Sequence, residues 1–209
     1  MFLQGLKLDV KYEDASRLRY GHIMIMTDQD HDGSHIKGLI INFFHHFWPS
    51  LLEIENFLQV FITPIVKCVP RTGSKKYKLT NTTTFYTTPE YEEWRNSNDD
   101  HQNGKKWKIK YYKGLGTSDR TEAKEYFSNL KKNLIPFTTL SNDPVGTSEV
   151  TNMIDMCFNK KKAEERKIWI NGYEDGTHVN FNVDEMAYSD FVDKEYIIMA
   201  VSRCCRRCR

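Results

Sequence analysis

Residues 23–35, IMIMTDQDHDGSH, constrain this chain more than any other stretch. Four apolar residues read as a buried strand, and they stop at Asp28, Asp30 and Asp32, placed at alternate positions before Gly33. From Ser34 the pattern changes: Ile36, Leu39, Ile40, Phe43, Phe44 and Phe47 recur at three and four, which predicts a helix with a broad apolar face ending before Pro49. A strand, an acidic loop and a helix in that order open an α/β unit. In open α/β sheets ligands bind at the carboxyl ends of strands, where the next loop presents its side chains.

Three carboxylates so close together repel one another, by about 4 kcal/mol per pair at ~4 Å and an effective dielectric near 20. A cation among them removes that cost, and divalent ions with a preference for oxygen fit best. The D-x-D-x-D-G opening matches an EF-hand calcium loop, but its twelfth position is Leu39 instead of the bidentate glutamate, and a strand precedes it. His31 and His35, four apart, could serve a transition metal, although that spacing is common by chance. Mg²⁺ needs only one or two carboxylates and completes its shell with water and phosphate oxygens, which suits a small acidic loop serving phosphoryl chemistry.

With 209 residues, 39% of them hydrophobic, the chain can bury a real core. A mean hydropathy of −0.63 and the lack of a spanning apolar run argue for a soluble, intracellular protein with no membrane partner. Lys7 interrupts what a signal peptide would need to be apolar. The five cysteines, an odd number, fit reduced thiols; Cys68 and Cys157 read as core, and Cys204, Cys205 and Cys208 lack a local fourth zinc ligand. Charge is uneven, because residues 101–170 hold 14 basic and 8 acidic side chains, a net +6. That basic middle can meet a polyanion or form a solvated face.

Further along, FLQVFITPIVKCV reads as a strand region with Pro64 at an edge or bulge. Thr88 and Pro89 read as the N-cap and first turn of a helix. KWKIKYY reads as a strand, and KGLGTS (113–118) breaks it. A helix follows with Ala123, Tyr126, Phe127 and Leu130 on one face. Val150, Met153, Ile154, Cys157 and Phe158 mark another helix, running through NKKKAEERKIWI until Asn171 and Gly172 stop it. Ser189 or Asp190 can cap a last helix.

RYGHIMIMTDQDHDGSHIKGLIINF closely resembles the Toprim acidic motif of eukaryotic-type type II DNA topoisomerases, and KYYKGLGTS, NKKKAEERKIW and YSDFVDKE resemble further blocks in the same order. The resemblance spans roughly residues 8–200. It implies an α/β, Toprim-type, Rossmann-like fold, with a parallel sheet flanked by helices, N-terminally incomplete, plus an α+β extension. The implied divisions are a partial Toprim domain (1–60), the extension (61–172), the start of a link to a winged-helix cleavage region (173–200) and a divergent Cys/Arg tail (201–209). It also implies an ATP-dependent enzyme that passes one duplex through a transient double-strand break in another. Asp28 and Asp30 would be ligands for Mg²⁺, with Mn²⁺ or Ca²⁺ as substitutes, and Asp32 a supporting ligand. Arg166 and Lys167 would contact the backbone of double-stranded DNA. The full-length family acts as a homodimer in the nucleus.

The family pattern also places an E-G-D-S-type glutamate upstream of the acidic loop, an ATPase domain that binds ATP, and a nucleophilic tyrosine downstream. None has a match here, so the expectation is a fragment of a longer gene that does not relax DNA alone. The alternative is a catalytically inactive, truncated DNA- or partner-binding module.

Overall fold

The computed structural model describes residues 6, 10–16, 18–70, 82–97, 107–112, 118–128, 130–139 and 146–207. In chain order the elements are β1 (Ile23–Met26), α1 (His31–Phe47), α2 (Pro49–Leu52), β2 (Leu58–Phe61), β3 (Val66–Pro70), β4 (Thr83–Phe85) and α3 (Thr88–Ser97). Next come β5 (Trp107–Tyr111), α4 (Arg120–Ser128), α5 (Leu130–Asn133), β6 (Leu134–Thr138) and α6 (Gly146–Phe158). A 3₁₀ turn (Lys160–Lys162), α7 (Ala163–Asn171), β7 (Met186–Ala187), α8 (Tyr188–Asp190), a π-helical segment (Phe191–Tyr196) and α9 (Ile197–Arg207) complete the described chain. These elements fall into two compact units, one of Met1–Thr27, His31–Phe61 and Leu134–Arg209, the other of Asp28–Asp30 and Ile62–Asn133.

The first unit is built on a sheet of order β1-β2-β6-β7. β1 and β2 run parallel, Ile23 opposite Leu58 and Met26 opposite Phe61, as a helical crossover through α1 and α2 requires. β2 and β6 are antiparallel, and β6 and β7 parallel, so this α/β, Toprim-type sheet is mixed. The expected strand 23–26 forms with those bounds, but it is the edge strand of the described sheet and not a buried one. Ile25 is buried, while Met24 and Met26 are exposed, because side chains alternate and an edge strand is covered incompletely.

α1 forms over the expected region but turns a different face inward. Gly33, Ser34, Lys37, Gly38, Ile41 and Phe44 are buried, whereas Ile36, Leu39 and Phe47 are exposed. The reason is close approach plus charge pairing. A Cβ on Gly38 would lie 2.5 Å from Tyr196 Cε2, so only glycine lets the π-helical segment come that near. Lys37, fully buried, places its Nζ 2.6 Å from Glu195 Oε1, and Ser34 Oγ donates to the same oxygen at 2.9 Å. Phe44 packs edge-on to Phe57, and Phe137 stacks on Tyr188, within this core.

In the second unit β3 is flanked by β4 and β5, both antiparallel to it. Val66, Cys68, Phe85 and Tyr91 form its core, with Ile65, Trp94 and Trp107 packed against them. FLQVFITPIVKCV therefore supplies two strands in two sheets, and Pro64, which has no N–H for a ladder, lies in the break between them. The cap of α3 is one residue earlier than expected. Thr87 Oγ1 accepts from Glu90 N–H at 3.4 Å and Glu90 Oε2 accepts from Thr87 N–H at 3.3 Å, a reciprocal capping box. On α4 and α5, Tyr126 is buried but Phe127 and Leu130 are exposed, contrary to the single face expected. β5 ends at Tyr111, Tyr112 follows it, and residues 113–117 of KGLGTS lie outside the described residues.

α6 buries Val150, Ile154 and Cys157 as the spacing requires. It does not run on into the basic stretch. It stops at Phe158, a 3₁₀ turn intervenes, and α7 ends at Asn171 with Gly172 N–H on the Ile168 carbonyl. The C-terminal helical run begins with α8 at Tyr188 without a side-chain cap, ahead of Ser189 and Asp190. Cys68 and Cys157 are buried thiols, pushed up to about 11 and about 12 by burial. Cys204 is exposed, and the side chains of Cys205 and Cys208 lie outside the described residues.

Candidate metal loop and basic turn

β1 delivers the chain directly into the acidic stretch, as the sequence implied. Thr27, just beyond the strand, is buried, and its hydroxyl has no hydrogen-bond partner among the described residues. Asp28 is half-buried and Asp30 exposed. Asp32 lies in the first turn of α1, where a carboxylate also favours the helix dipole. Among the described residues no three Asp, Glu, His or Cys side chains are grouped as a ready-made metal site. The donor chemistry nonetheless fits a hard cation. A buried, unpartnered hydroxyl oxygen followed by accessible carboxylates offers the ligand type that Mg²⁺ takes, and Mg²⁺ keeps most of its shell as water.

Asp32 has a partner that local sequence did not reveal. Arg203 Nη2, on α9, lies 3.6 Å from Asp32 Oδ1, with both side chains largely in water. The same guanidinium donates through Nη1 to His35 Nε2 at 3.1 Å. Burial first, and then Arg203, lower the His35 pKa against the opposing pull of Asp32; because a guanidinium can only donate, His35 Nε2 is the acceptor of this bond. His35 thus has Arg203 as a partner, while His31 is exposed at the start of α1.

The basic turn is organised by Asn159. Its Oδ1 accepts from Lys161 N–H at 2.9 Å, and its Nδ2 donates to Asp155 Oδ1 at 3.0 Å. Lys162 Nζ reaches Asp155 Oδ2 at 3.1 Å, and these two contacts, Asn159 first, hold the Asp155 carboxyl below the usual range. Arg166 is half-buried, and its Nη1 donates to the carbonyls of Met156 (2.7 Å), Cys157 (3.1 Å) and Asn159 (3.2 Å). It therefore closes the C-terminal end of α6, where carbonyls have no helical partner. Lys167 is exposed and pairs with Glu164 at 2.7 Å. Arg166 and Lys167, adjacent in sequence, are thus in different situations.

The second unit holds a polar knot that sequence reading passed over. Glu122 accepts from Lys110 Nζ at 2.6 Å, from the Tyr112 hydroxyl, and from Asp119 N–H at 2.9 Å. Asp119 Oδ1 in turn accepts from Glu122 N–H at 2.9 Å, making a capping box at the start of α4. Burial alone would raise the Glu122 pKa, but the bonds from Lys110, Tyr112 and Asp119 together hold it below the ordinary carboxylate range. The signal was legible, since D-x-x-E at Asp119 to Glu122 opens the helix.

A carboxylate loop after the edge strand of an α/β sheet, joined in sequence to a separate antiparallel sheet and a basic helical turn, defines a Toprim-type protein with an α+β extension. The family model of the C-terminal associated domain of TOPRIM matches residues 61–204, and the chain belongs to that family. It resembles eukaryotic-type DNA topoisomerase II. It is 50% identical over 198 residues to DNA topoisomerase 2 of Arabidopsis thaliana, covering 95% of this chain and 12% of that protein. With DNA topoisomerase 2 of Saccharomyces cerevisiae it shares 48% identity over 200 residues, 96% of this chain and 13% of that one. The crystal structure of the Plasmodium falciparum topoisomerase II DNA-binding, cleavage and re-ligation domain superposes with a TM-score of 0.79 at 43% identity, covering 96% of this chain and 25% of that one. The chain spans only 12 to 13% of the length of these curated relatives.

Proposed function

We propose that this chain is the Toprim-centred segment of an ATP-dependent type II DNA topoisomerase, which changes DNA topology by transient breakage of both strands and passage of a second duplex. The observation that carries this reading is its similarity to DNA topoisomerase 2 over 95% of the chain, a stretch that includes β1, the acidic loop and the basic turn. In this reading Asp28 and Asp30 hold Mg²⁺, with Mn²⁺ or Ca²⁺ as substitutes, and Asp32 supports them. Bound there, the ion stabilises charge developing on the phosphodiester and its leaving oxygen. The chain's own residues carry the loop directly after β1, leave Asp30 and Asp32 exposed, and present cations to the duplex. Arg166 and Lys167 touch the DNA backbone, contacts that add affinity without reading sequence. ATP acts through a separate domain of the family, and the assembled enzyme is a nuclear homodimer.

The test is a chimera in which residues 8–200 replace the corresponding segment of the Saccharomyces cerevisiae relative. ATP-dependent relaxation of a supercoiled plasmid is expected, with Asp28→Asn abolishing it. A folded, dimeric chimera that relaxes nothing, or one indifferent to Asp28→Asn, would overturn the proposal.

The Arg203 and Asp32 pair favours a second reading, a catalytically inactive DNA- or partner-binding module whose carboxylate is already met by an internal cation. It requires duplex binding by the chain to be the same with and without Mg²⁺.

A further inference from the structure

The stretch 160–167 carries five cations, and the structure sorts them by what each already holds. Lys162 is tied to Asp155 at 3.1 Å and lies 3.9 Å from Glu165. Arg166 has one nitrogen on three carbonyls of the α6 terminus. Lys167 sits 2.7 Å from Glu164, one helical turn away. Lys160 and Lys161 are exposed, and among the described residues neither ammonium makes a hydrogen bond or an ion pair.

We propose that Lys160 and Lys161 are the main DNA-phosphate contacts of this turn, carrying more of the grip on the duplex than Arg166 and Lys167. The inference rests on the DNA reading above and adds residues to it. Three features argue for it. First, the backbone under the two lysines is fixed before any ligand arrives, because Asn159 accepts from Lys161 N–H through its side chain and from Lys162 N–H through its carbonyl at 3.1 Å. A pair of cations held on a rigid turn loses less freedom on binding than the same pair on a flexible loop. Second, Lys160 and Lys161 are adjacent like charges beside a third lysine, an arrangement that an anionic surface relieves and solvent only screens. Third, Arg166 would leave orphan carbonyls at the end of α6 if its Nη1 moved to a phosphate, whereas Lys167 is held only by a solvent-exposed, exchangeable pair with Glu164 that Lys160 and Lys161 do not have to break. Lysine, a compact point charge on a long stem, suits contacts that track a backbone without reading bases.

The experiment is fluorescence anisotropy of the 209-residue chain with a labelled duplex, in salt from about 50 to 200 mM, where each neutralised phosphate contributes roughly 0.9 to the log–log slope. Lys160→Ala with Lys161→Ala should flatten that slope by roughly 1.8 on duplexes of unrelated sequence, with the melting temperature unchanged. Lys160→Arg with Lys161→Arg should restore it. Arg166→Ala with Lys167→Ala should change the slope less and lower the melting temperature; Lys167→Ala alone gives the comparison if the double variant fails to fold. An effect on slope from Lys167→Ala or from the 166/167 pair that equals or exceeds that of the 160/161 pair overturns the inference. Absence of any salt-sensitive binding by the unaltered chain overturns the DNA reading itself, and the inference with it.

Discussion

Helix α1 is tied to the C-terminal helical run at two places, and the two ties are opposites. Inside the first unit Lys37 meets Glu195 at 2.6 Å with side-chain exposures of 0% and 10%. Five residues nearer the N-terminus Asp32 meets Arg203 at 3.6 Å with exposures of 80% and 46%. The first pair is closed by Ser34 and by the Gly38 and Tyr196 contact, so nothing can replace either partner. The second lies in water, where an ion pair is weak and exchangeable. Charges that the interior satisfies hold the fold, and charges left to solvent are available to a ligand.

The contrast can be broken most sharply at Lys37. Lys37→Ala leaves the Glu195 carboxylate in the interior without its counter-charge, and a loss of about 3–5 kcal/mol is expected in urea unfolding. Replacing both partners with apolar residues should recover most of it. Asp32→Asn, by contrast, should leave the unfolding midpoint unchanged. Gly38→Ala is next in size, because the new methyl meets the Tyr196 ring, and overpacking of this kind costs about 1–3 kcal/mol. If Gly38→Ala were neutral, the approach of the π-helical segment to α1 would be looser than described.

The Glu122 knot in the second unit sits between these extremes, with exposures of 36% for Lys110 and 12% for Glu122. Its carboxyl is held below the ordinary range in the folded state, so its contribution is present above the unfolded value of about 4.3 and is lost as pH falls through the lower folded value. The melting temperature should therefore drop on acidification below about pH 4.3, and Glu122→Gln should be less stable at neutral pH but flatter over that acid range. A parallel acid response in both proteins would remove Glu122 from the explanation.

What could be read from sequence was local. β1 and its acidic loop, the stop at Gly172 and the buried cysteines follow from patterns a few residues long, and each formed. The inward face of α1 did not follow, because it depends on Glu195 and Tyr196, over 150 residues away, and on glycine and lysine positions that a hydrophobic periodicity discards. The same distance hid Arg203 from Asp32. Arg166 was missed as a helix-closing residue for a smaller reason: the break at Asn159, an N-cap residue after an apolar helix, was passed over in favour of one continuous helix. KGLGTS remains outside the described residues at 113–117.

The most direct test of the exposed, exchangeable end of α1 is a Mn²⁺ titration of the chain followed by amide line broadening in NMR. Amides of residues 27–33 should broaden first and at the lowest Mn²⁺, Asp28→Asn should abolish the preference, and Arg203→Ala should shift it to lower Mn²⁺. Broadening that begins elsewhere, or that keeps its preference for this loop after Asp28→Asn, would contradict the proposal that the acidic loop holds the metal.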